Sequence, residues 1–172
     1  MRFADSEILL KRGANQFDTL SNIDRIASRE AKHEFIQESI KKYNLRPDLN
    51  SLKKIFEAGF RIIFFFPDPY DIQNIRTVNR SLKDRRGNCV DYTVFFSAFL
   101  RALGIPHIIR MVSFDPSDPG NYSHIYPMTL DGVILDAVFG QDQNGNEVNR
   151  KNRRPLFNRT IPHVGKFDKI IR

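Results

Sequence analysis

The feature that most constrains the fold is the segment of residues 89–103, which is apolar over most of a helical circumference. Asn88 can cap its start, and Asp91 lies in the first turn, where a negative charge is favoured. Gly104 and Pro106 follow, and glycine followed by proline is a common signal for the end of a helix. The pattern predicts a buried central helix that begins at Cys89, around which the rest of the chain packs.

Cys89, the only cysteine, occupies a position that favours a reactive thiol. The unpaired N–H groups and the dipole at a helix N-terminus stabilise a thiolate, and Arg85 and Arg86 are close in sequence. Further along, His124 and Asp136 each lie in a strand-like run, and Cys, His, Asp is the order of a thiol triad. The alternative for a lone buried cysteine is an inert apolar side chain. A single cysteine forms no internal disulfide and gives no zinc-binding spacing, so no metal is predicted.

The remaining pattern is helical first and strand-like later. Apolar residues at three- and four-residue steps predict a helix over 22–43 and another over 49–64, the second capped by Asp48. Residues 71–83 are predicted as a third, shorter helix or an extended connector. Strands are predicted over 107–114, 122–130 and 133–139, with turns at 131–132 and 144–145. Helices followed by antiparallel strands predict an α+β fold.

The turn at Asp131-Gly132 decides whether His124 and Asp136 can meet, because side chains alternate between the faces of a strand. A two-residue loop would place them on opposite faces. A three-residue loop from Leu130 to Gly132 pairs Tyr126 with Asp136 and puts His124 diagonally beside the carboxylate. We therefore predict an odd loop or a bulge, with a positive φ at Gly132 if the turn supplies it.

Four motifs carry a resemblance to a known family. They are Gly87-Asn88-Cys89-Val90-Asp91, the run Phe99-Leu100-Arg101-Ala102-Leu103-Gly104-Ile105-Pro106, Ser123-His124-Ile125-Tyr126, and Asp131-Gly132-Val133-Ile134-Leu135-Asp136. Together, over residues 71–140, they resemble the transglutaminase-like cysteine superfamily, with a papain-like thiol fold, in its compact bacterial or phage type. The resemblance implies an α+β core with a Cys-headed central helix packed on an antiparallel sheet, here with extra N-terminal helices.

The resemblance also implies acyl chemistry on an amide or peptide through a thioester. Cys89 matches the nucleophile, His124 the base and Asp136 the orienting carboxylate. The family includes transglutaminases, proteases and deglycosylating amidases, so the expected activity is that of a thiol hydrolase or an acyltransferase without a cofactor. Some members have lost activity. The alternative is therefore a non-catalytic structural or binding protein on the same fold, such as a phage assembly or virion component.

The candidate site departs from the family at Tyr126, where a tryptophan is common two positions after the histidine. Pro127 follows and cannot donate to a sheet ladder, which predicts an edge or a bulge near the site. Gln73 is a candidate second donor to an oxyanion, alongside the Cys89 N–H. Tyr122 and Tyr126 are candidates for the lining of the cleft. The helix-capping roles of Asn88 and Asp91 need no catalytic part.

The chain is predicted as one domain, 1–172, with a helical part (1–66), a catalytic core (67–140) and a basic C-terminal extension (141–172). Its net charge of +7 and pI near 9.7 are compatible with an acidic protein or polyanion partner, besides a peptide or protein amide substrate. One stretch without acidic residues is a candidate polyanion site: Arg150, Lys151, Arg153 and Arg154. The sequence shows no signal-peptide pattern and no long apolar stretch, so a cytoplasmic location is expected, or a virion-associated one if the protein is phage-encoded.

Overall fold

The structure is a computed structural model that describes residues 7–10, 15–68, 73–138, 157–158 and 162–172. Within these ranges the chain has the α+β fold that the sequence predicts. In chain order the elements are β1 (Glu7–Leu10), α1 (Gln16–Glu30), α2 (Glu34–Lys42), α3 (Leu49–Ile62), β2 (Phe64–Phe65), β3 (Gln73–Arg76), α4 (Val78–Asp84), β4 (Arg86–Gly87), α5 (Cys89–Ala102), β5 (His107–Ser113), β6 (His124–Thr129) and β7 (Gly165–Ile171).

Helix α5 is the predicted central helix, and its two ends have the predicted signals. The Asn88 side chain accepts hydrogen bonds from the Val90 and Asp91 N–H groups, and Asp91 accepts one from the Asn88 N–H. This reciprocal arrangement is a capping box, which satisfies the donors that a helix start leaves open. Gly104 adopts a φ of +68° just after the helix. All residues from 90 to 100 are buried, so α5 forms the middle of the apolar core.

A three-stranded antiparallel sheet, in the order β6-β5-β7, packs against α5. Met111 of β5 lies opposite Ile125 of β6 and Phe167 of β7. Met111 and Ile125 belong to the large core around α5. Residues one position along lie on the other face, and there His124 is opposite Val112. Two small sheets complete the described structure: β1 with β3, antiparallel, and β2 with β4, parallel.

The predicted helix over 22–43 is wrong in its continuity, because the structure has two helices there. Helix α1 ends at Glu30, and α2 begins after His33, whose ring nitrogen accepts a hydrogen bond from the Phe35 N–H. The backbone of His33 is extended, which interrupts the helical hydrogen bonds. The His33 side chain then serves as the N-cap of a new helix. The apolar spacing continues because both helices bury residues in the same core. Helix α3 also ends at Ile62, two residues early, because Phe64 pairs with Arg86 in a strand.

The predicted strand over 133–139 is wrong as a strand. In residues 133–138 the structure has one isolated bridge, between Ile134 and Met128, and Phe139 lies outside the described residues. The Leu135 N–H donates to the Pro127 carbonyl at 3.1 Å. Pro127 has no N–H to return that bond, so the ladder stops beside it. The predicted interruption near the site is therefore present, and β6 is an edge strand of the sheet.

Candidate active site

The turn after β6 has the predicted three-residue loop. The Thr129 N–H donates to the Val133 carbonyl at 2.9 Å, and the Gly132 N–H donates to the Thr129 carbonyl at 3.0 Å. Gly132 has a φ of +93°. With Thr129 facing Val133 and Met128 bridged to Ile134, the register is the one that places Asp136 on the same face as His124. The predicted register and the predicted positive φ are both confirmed.

His124 and Asp136 form a buried pair at the start of β6. The His124 Nε2 lies 2.7 Å from the Asp136 Oδ2, and the two side chains are 6% and 3% exposed. The other carboxylate oxygen of Asp136 accepts a hydrogen bond from the Val138 N–H at 3.1 Å. The rings of Phe114 and Tyr126 lie near the imidazole, with centroid distances of 6.2 and 5.7 Å. The imidazole is therefore fixed in orientation, with Nε2 toward the carboxylate.

The second ring nitrogen of His124 is the one that remains for the Cys89 side chain. Burial by itself lowers the pKa of His124, but the charge and hydrogen bond of Asp136, together with the hydrogen bond and charge of Cys89, raise that pKa to about 10. His124 therefore pairs with Asp136, and its pKa is raised by Cys89 as well; the role of these three residues as a triad stays a prediction. The imidazole is disposed to carry a proton at neutral pH between two groups that become anionic.

Cys89 is the first residue of α5, and the capping of that helix leaves its backbone N–H available. The Asn88 side chain accepts from the second and third N–H groups of the helix, those of Val90 and Asp91. The Cys89 N–H has no hydrogen-bond partner within the part of the chain that the structure describes. The Thr93 hydroxyl donates to the Cys89 carbonyl at 2.7 Å. A half-buried thiol therefore lies beside an open backbone donor at a helix N-terminus.

Asp68 fixes the other side of this helix start, and the sequence analysis missed it. One oxygen of Asp68 accepts from the Asn88 Nδ2 at 2.6 Å, the Asn74 N–H at 2.7 Å and the Gln73 Nε2 at 3.1 Å. The other accepts from the Asn74 side chain and lies 3.7 Å from Arg76. By binding the amide nitrogen of Asn88, Asp68 turns the amide oxygen toward the helix. The sequence signal was an acidic residue between two prolines, which marks a loop but names no partner.

Asp91 forms a second buried ion pair below the helix start. Its carboxylate accepts from the Arg76 N–H at 2.8 Å, the Arg76 Nη1 at 2.7 Å and the Asn88 N–H at 3.0 Å. Burial raises the pKa of Asp91 to about 6, against the opposing effect of these hydrogen bonds and of the Arg76 charge. Asp91 therefore ties β3 to α5, in addition to the capping role that the sequence predicts.

The remaining candidate residues are placed as follows. Gln73 donates to Asp68 and to the Asn74 carbonyl, so it lies in the network that holds Asn88. Tyr126 is buried against the imidazole. Tyr122 is half-buried, and its N–H donates to Gln16. Their parts in catalysis stay predictions. The basic stretch, Arg150, Lys151, Arg153 and Arg154, lies outside the described residues.

No group of three His, Cys, Asp or Glu side chains among the described residues could hold a metal ion. No helix in the described part of the chain is long and apolar enough to cross a membrane. A cavity of about 590 Å³ lies between α2 and α3, on the far side of Phe95 and Phe99, and none of the candidate residues lines it.

Comparison with known proteins is consistent with this arrangement. The sequence model of the transglutaminase-like superfamily matches residues 47–137, more than half of the chain and a span that includes Cys89, His124 and Asp136. No curated protein matches the chain in sequence. A similar solved structure is that of a protein from Cytophaga hutchinsonii provisionally described as a cysteine protease, with a TM-score of 0.39 and 14% sequence identity. That match covers 88% of this chain and 50% of the other, so this chain spans half the length of that protein.

Proposed function

We propose that this chain, which belongs to the transglutaminase-like superfamily, is a cysteine-dependent enzyme that acts on an amide or peptide bond. In this proposal Cys89 is the nucleophile, His124 the acid and base, and Asp136 the residue that orients the imidazole. The observation that carries it is the position of one buried imidazole between a carboxylate at 2.7 Å and the only thiol of the chain.

The first step uses the proton that His124 holds. Its raised pKa favours an imidazolium, which pairs with a thiolate at Cys89 and with the Asp136 carboxylate. The sulfur then attacks the carbonyl carbon of the substrate amide, and the carbonyl oxygen becomes negatively charged. His124 gives its proton to the leaving amine, and a thioester remains on Cys89.

The open backbone N–H of Cys89 is suited to bind the oxygen that becomes charged. Preorganised N–H donors at such a position typically contribute about 10²–10³ in rate, because they need no rearrangement as the charge develops. Gln73 stays a candidate for the second donor, and in the described structure its amide nitrogen is bound to Asp68 and the Asn74 carbonyl. A substrate carbonyl would have to draw that amide away from one of these oxygens.

The thioester is resolved by water in a hydrolase and by a second amine in a transferase. In either case the neutral His124 takes a proton from the attacking molecule, so the enzyme returns to its starting state. We propose hydrolysis as the main outcome, because no feature of the described residues marks a site that would exclude water.

Alkylation of the single thiol tests the proposal without a known substrate. We expect iodoacetamide to modify folded wild-type protein at pH 7 far faster than the urea-unfolded chain, and His124→Ala to lower the folded rate about a hundredfold, the lower range for a positioned acid or base. His163→Ala is the matched control, because His163 is an imidazole outside this site. Equal rates for the folded chain, the unfolded chain and His124→Ala would contradict the enzyme and favour the binding-protein alternative.

The class of reaction needs a separate measurement. Wild type and Cys89→Ala are incubated with a mixture of glutamine-containing peptides, with and without an added primary amine, and the products are weighed by mass spectrometry. For wild type we expect the mass of a peptide acyl group added to the intact chain, and we expect hydrolysed peptides among the products. Products that carry the added amine would identify a transferase. No adduct and no product, from a thiol that alkylates fast, would contradict amide chemistry.

A further inference from the structure

We propose that the surface just before α5 recognises an acidic peptide, so that the substrate of the proposed enzyme carries carboxylates next to the reacting amide. This inference rests on the proposed function for the reaction and on separate residues for the recognition. The residues are Arg85 and Arg86, which precede the Cys89 helix, and Phe64 and Phe66, on which they stack. We refer to these four residues as the Arg-Phe strip.

The Arg-Phe strip ends beside the candidate nucleophile. Strands β2 and β4 run parallel, with Phe64 opposite Arg86. The Phe66 N–H donates to the Gly87 carbonyl at 2.9 Å, so Phe66 lies alongside the residues that lead into Cys89. Cys89 follows Arg86 by three residues, and three steps of chain span at most about 11 Å. A peptide with its reacting carbonyl at the thiol can therefore reach the strip with its next few residues.

Both guanidinium groups lie over aromatic rings. The Arg85 guanidinium lies 5.2 Å from the centroid of the Phe64 ring, and that of Arg86 lies 5.4 Å from the centroid of Phe66. Stacking of this kind orients the planar group and leaves N–H donors at its outer edge for a ligand. The Nε of Arg86 is buried, so at Arg86 this edge consists of the two terminal nitrogens. Two such edges match carboxylates, which bind a guanidinium through both oxygens. Phe66 is also 49% exposed and offers apolar contact to the same ligand.

The sequence around the strip contains more basic than acidic residues. Residues 80–86 contain four basic residues and one acidic residue, Asp84. Asp84 binds Arg80 at 2.6 Å and lies 3.8 Å from Arg86. Arg85 has no acidic partner within the part of the chain that the structure describes. The surface is therefore left cationic next to the candidate active site, and it favours an anionic ligand.

The backbone at Arg85 indicates that its side chain is retained for more than local structure. Arg85 ends helix α4 in the left-handed region, with φ 53° and ψ 32°. Glycine is the usual residue at such a position, because other side chains are strained there. A glycine would make a better helix end, yet the chain has an arginine. The substitution Arg85→Gly therefore removes the proposed recognition role of Arg85 and keeps its role at the end of helix α4.

Binding to the Cys89→Ala variant tests the recognition independently of turnover. The probes are two twelve-residue peptides with one sequence, one with three glutamates and the other with glutamines in their place, measured by calorimetry at 20 and 200 mM NaCl. We expect the glutamate peptide to bind at least tenfold more tightly at low salt, with most of this difference lost at high salt.

The Arg85→Gly variant is expected to lose most of the preference for the glutamate peptide, while its Tm is unchanged or raised. Arg86→Gln is also expected to lose preference, and Arg61→Gln, an exposed arginine on α3, is the matched control with the same loss of charge.

Equal binding of the two peptides would overturn the inference, as would an Arg61→Gln effect as large as that of Arg85→Gly. Binding of an oligonucleotide that exceeds binding of the glutamate peptide would overturn the choice of a peptide ligand. These results do not depend on the thiol. Slow alkylation with a retained glutamate preference would contradict the proposed enzyme alone, and fast alkylation without a preference would contradict the recognition alone.

Discussion

Two buried ion pairs flank the N-terminus of helix α5, and they look alike by distance. Asp91 accepts from the Arg76 guanidinium at 2.7 Å on one side, and Asp136 lies 2.7 Å from the His124 imidazole on the other. All four side chains are less than a tenth exposed. Contact distance and burial therefore do not distinguish a structural pair from a catalytic one.

The pairs differ in what their cations can do. Arg76 keeps its charge at any pH that a protein survives, and the Asp91 carboxylate is saturated by three donors. His124 exchanges its proton in the accessible range, and Cys89 as well as Asp136 raises its pKa. The comparison teaches that a candidate catalytic pair is recognised by a titratable partner with one position still open toward a nucleophile. The following predictions test that distinction.

The largest effect is expected on stability when Arg76 is replaced by methionine. Removing one partner of a buried ion pair leaves the other charge uncompensated and costs about 3–5 kcal/mol. We expect the free energy of unfolding, from urea denaturation, to fall by about that amount.

The double variant Arg76→Met, Asp91→Asn is the control for this pair. It removes both charges, so it should recover part of the stability that the single change loses. The alkylation rate of Cys89 in the folded protein should change far less than in His124→Ala. An alkylation loss equal to that of His124→Ala would erase the difference between the two pairs.

The pH dependence of stability above pH 7 is the next effect, and of the two pairs it belongs to that of His124. The pKa of His124 is raised from 6.5 to about 10, so the folded state keeps a proton that the unfolded state releases. Its contribution is complete below about pH 6.5 and is lost as the pH rises toward 10, with a slope of up to about 1.4 kcal/mol per pH unit. Arg76 does not titrate there, and the raised pKa of Asp91, about 6, gives its own loss only between about pH 4 and 6.

Urea unfolding at pH 7, 8 and 9 measures this slope. The useful quantity is the slope of Cys89→Ala less that of the double variant Cys89→Ala, His124→Gln, because in wild type the proton that a Cys89 thiolate gives up would offset the proton that His124 keeps. Lysines and tyrosines contribute equally to both variants. A difference near zero would mean that His124 is not charged in the fold, and the thiolate–imidazolium pair would have to be abandoned.

Local sequence signals were sufficient for the elements that carry the candidate site. The limits of α5 follow from Asn88, Gly104 and the apolar run between them, all within one segment. The register of the hairpin follows from a single glycine and the requirement that His124 and Asp136 share a face. At the ends of α5 and in the hairpin, local sequence preferences and tertiary packing favour the same arrangement, so it can be predicted from the sequence alone.

Long-range contacts account for what the sequence did not reveal. Asp68 binds a residue 20 positions away, and β7 joins the sheet across residues that give no pairing signal. The break at His33 depends on a side chain that competes with the helix ladder, which apolar spacing does not register. The prediction of a strand after Val133 was wrong because Pro127 has no N–H to continue the ladder. The alternation of apolar residues does not indicate where such a ladder stops.

A smaller effect is expected at Asp68, which joins neither pair but orients the cap of Cys89. Asp68→Asn presents an amide N–H₂ to donors from Asn88 and Asn74, so the cap loosens. We expect the alkylation rate of Cys89 at pH 7 to fall about fivefold to tenfold, about 1 kcal/mol. Asp48→Asn is the matched control, because Asp48 caps helix α3 and not α5. Equal alkylation losses in the two variants would indicate general destabilisation instead.

The smallest effect on the alkylation rate is expected from a change in the hairpin register. Two glycines allow this effect to be distinguished from a loss of stability. Gly132 and Gly104 have φ values of +93° and +68°, and a Cβ added to either would meet no atom within 4 Å. Alanine at each position is therefore strained by its backbone alone, at about 1–2 kcal/mol. We expect similar losses in the free energy of unfolding from Gly132→Ala and Gly104→Ala.

The alkylation rate should differ, because Gly132 sets the register that brings Asp136 to His124, whereas Gly104 only ends a helix. A severalfold loss is expected for Gly132→Ala and none for Gly104→Ala at a temperature where both are folded. If both variants alkylate as wild type does, the imidazole reaches its orientation without that turn, and Phe114 and Tyr126 would be the residues to replace next.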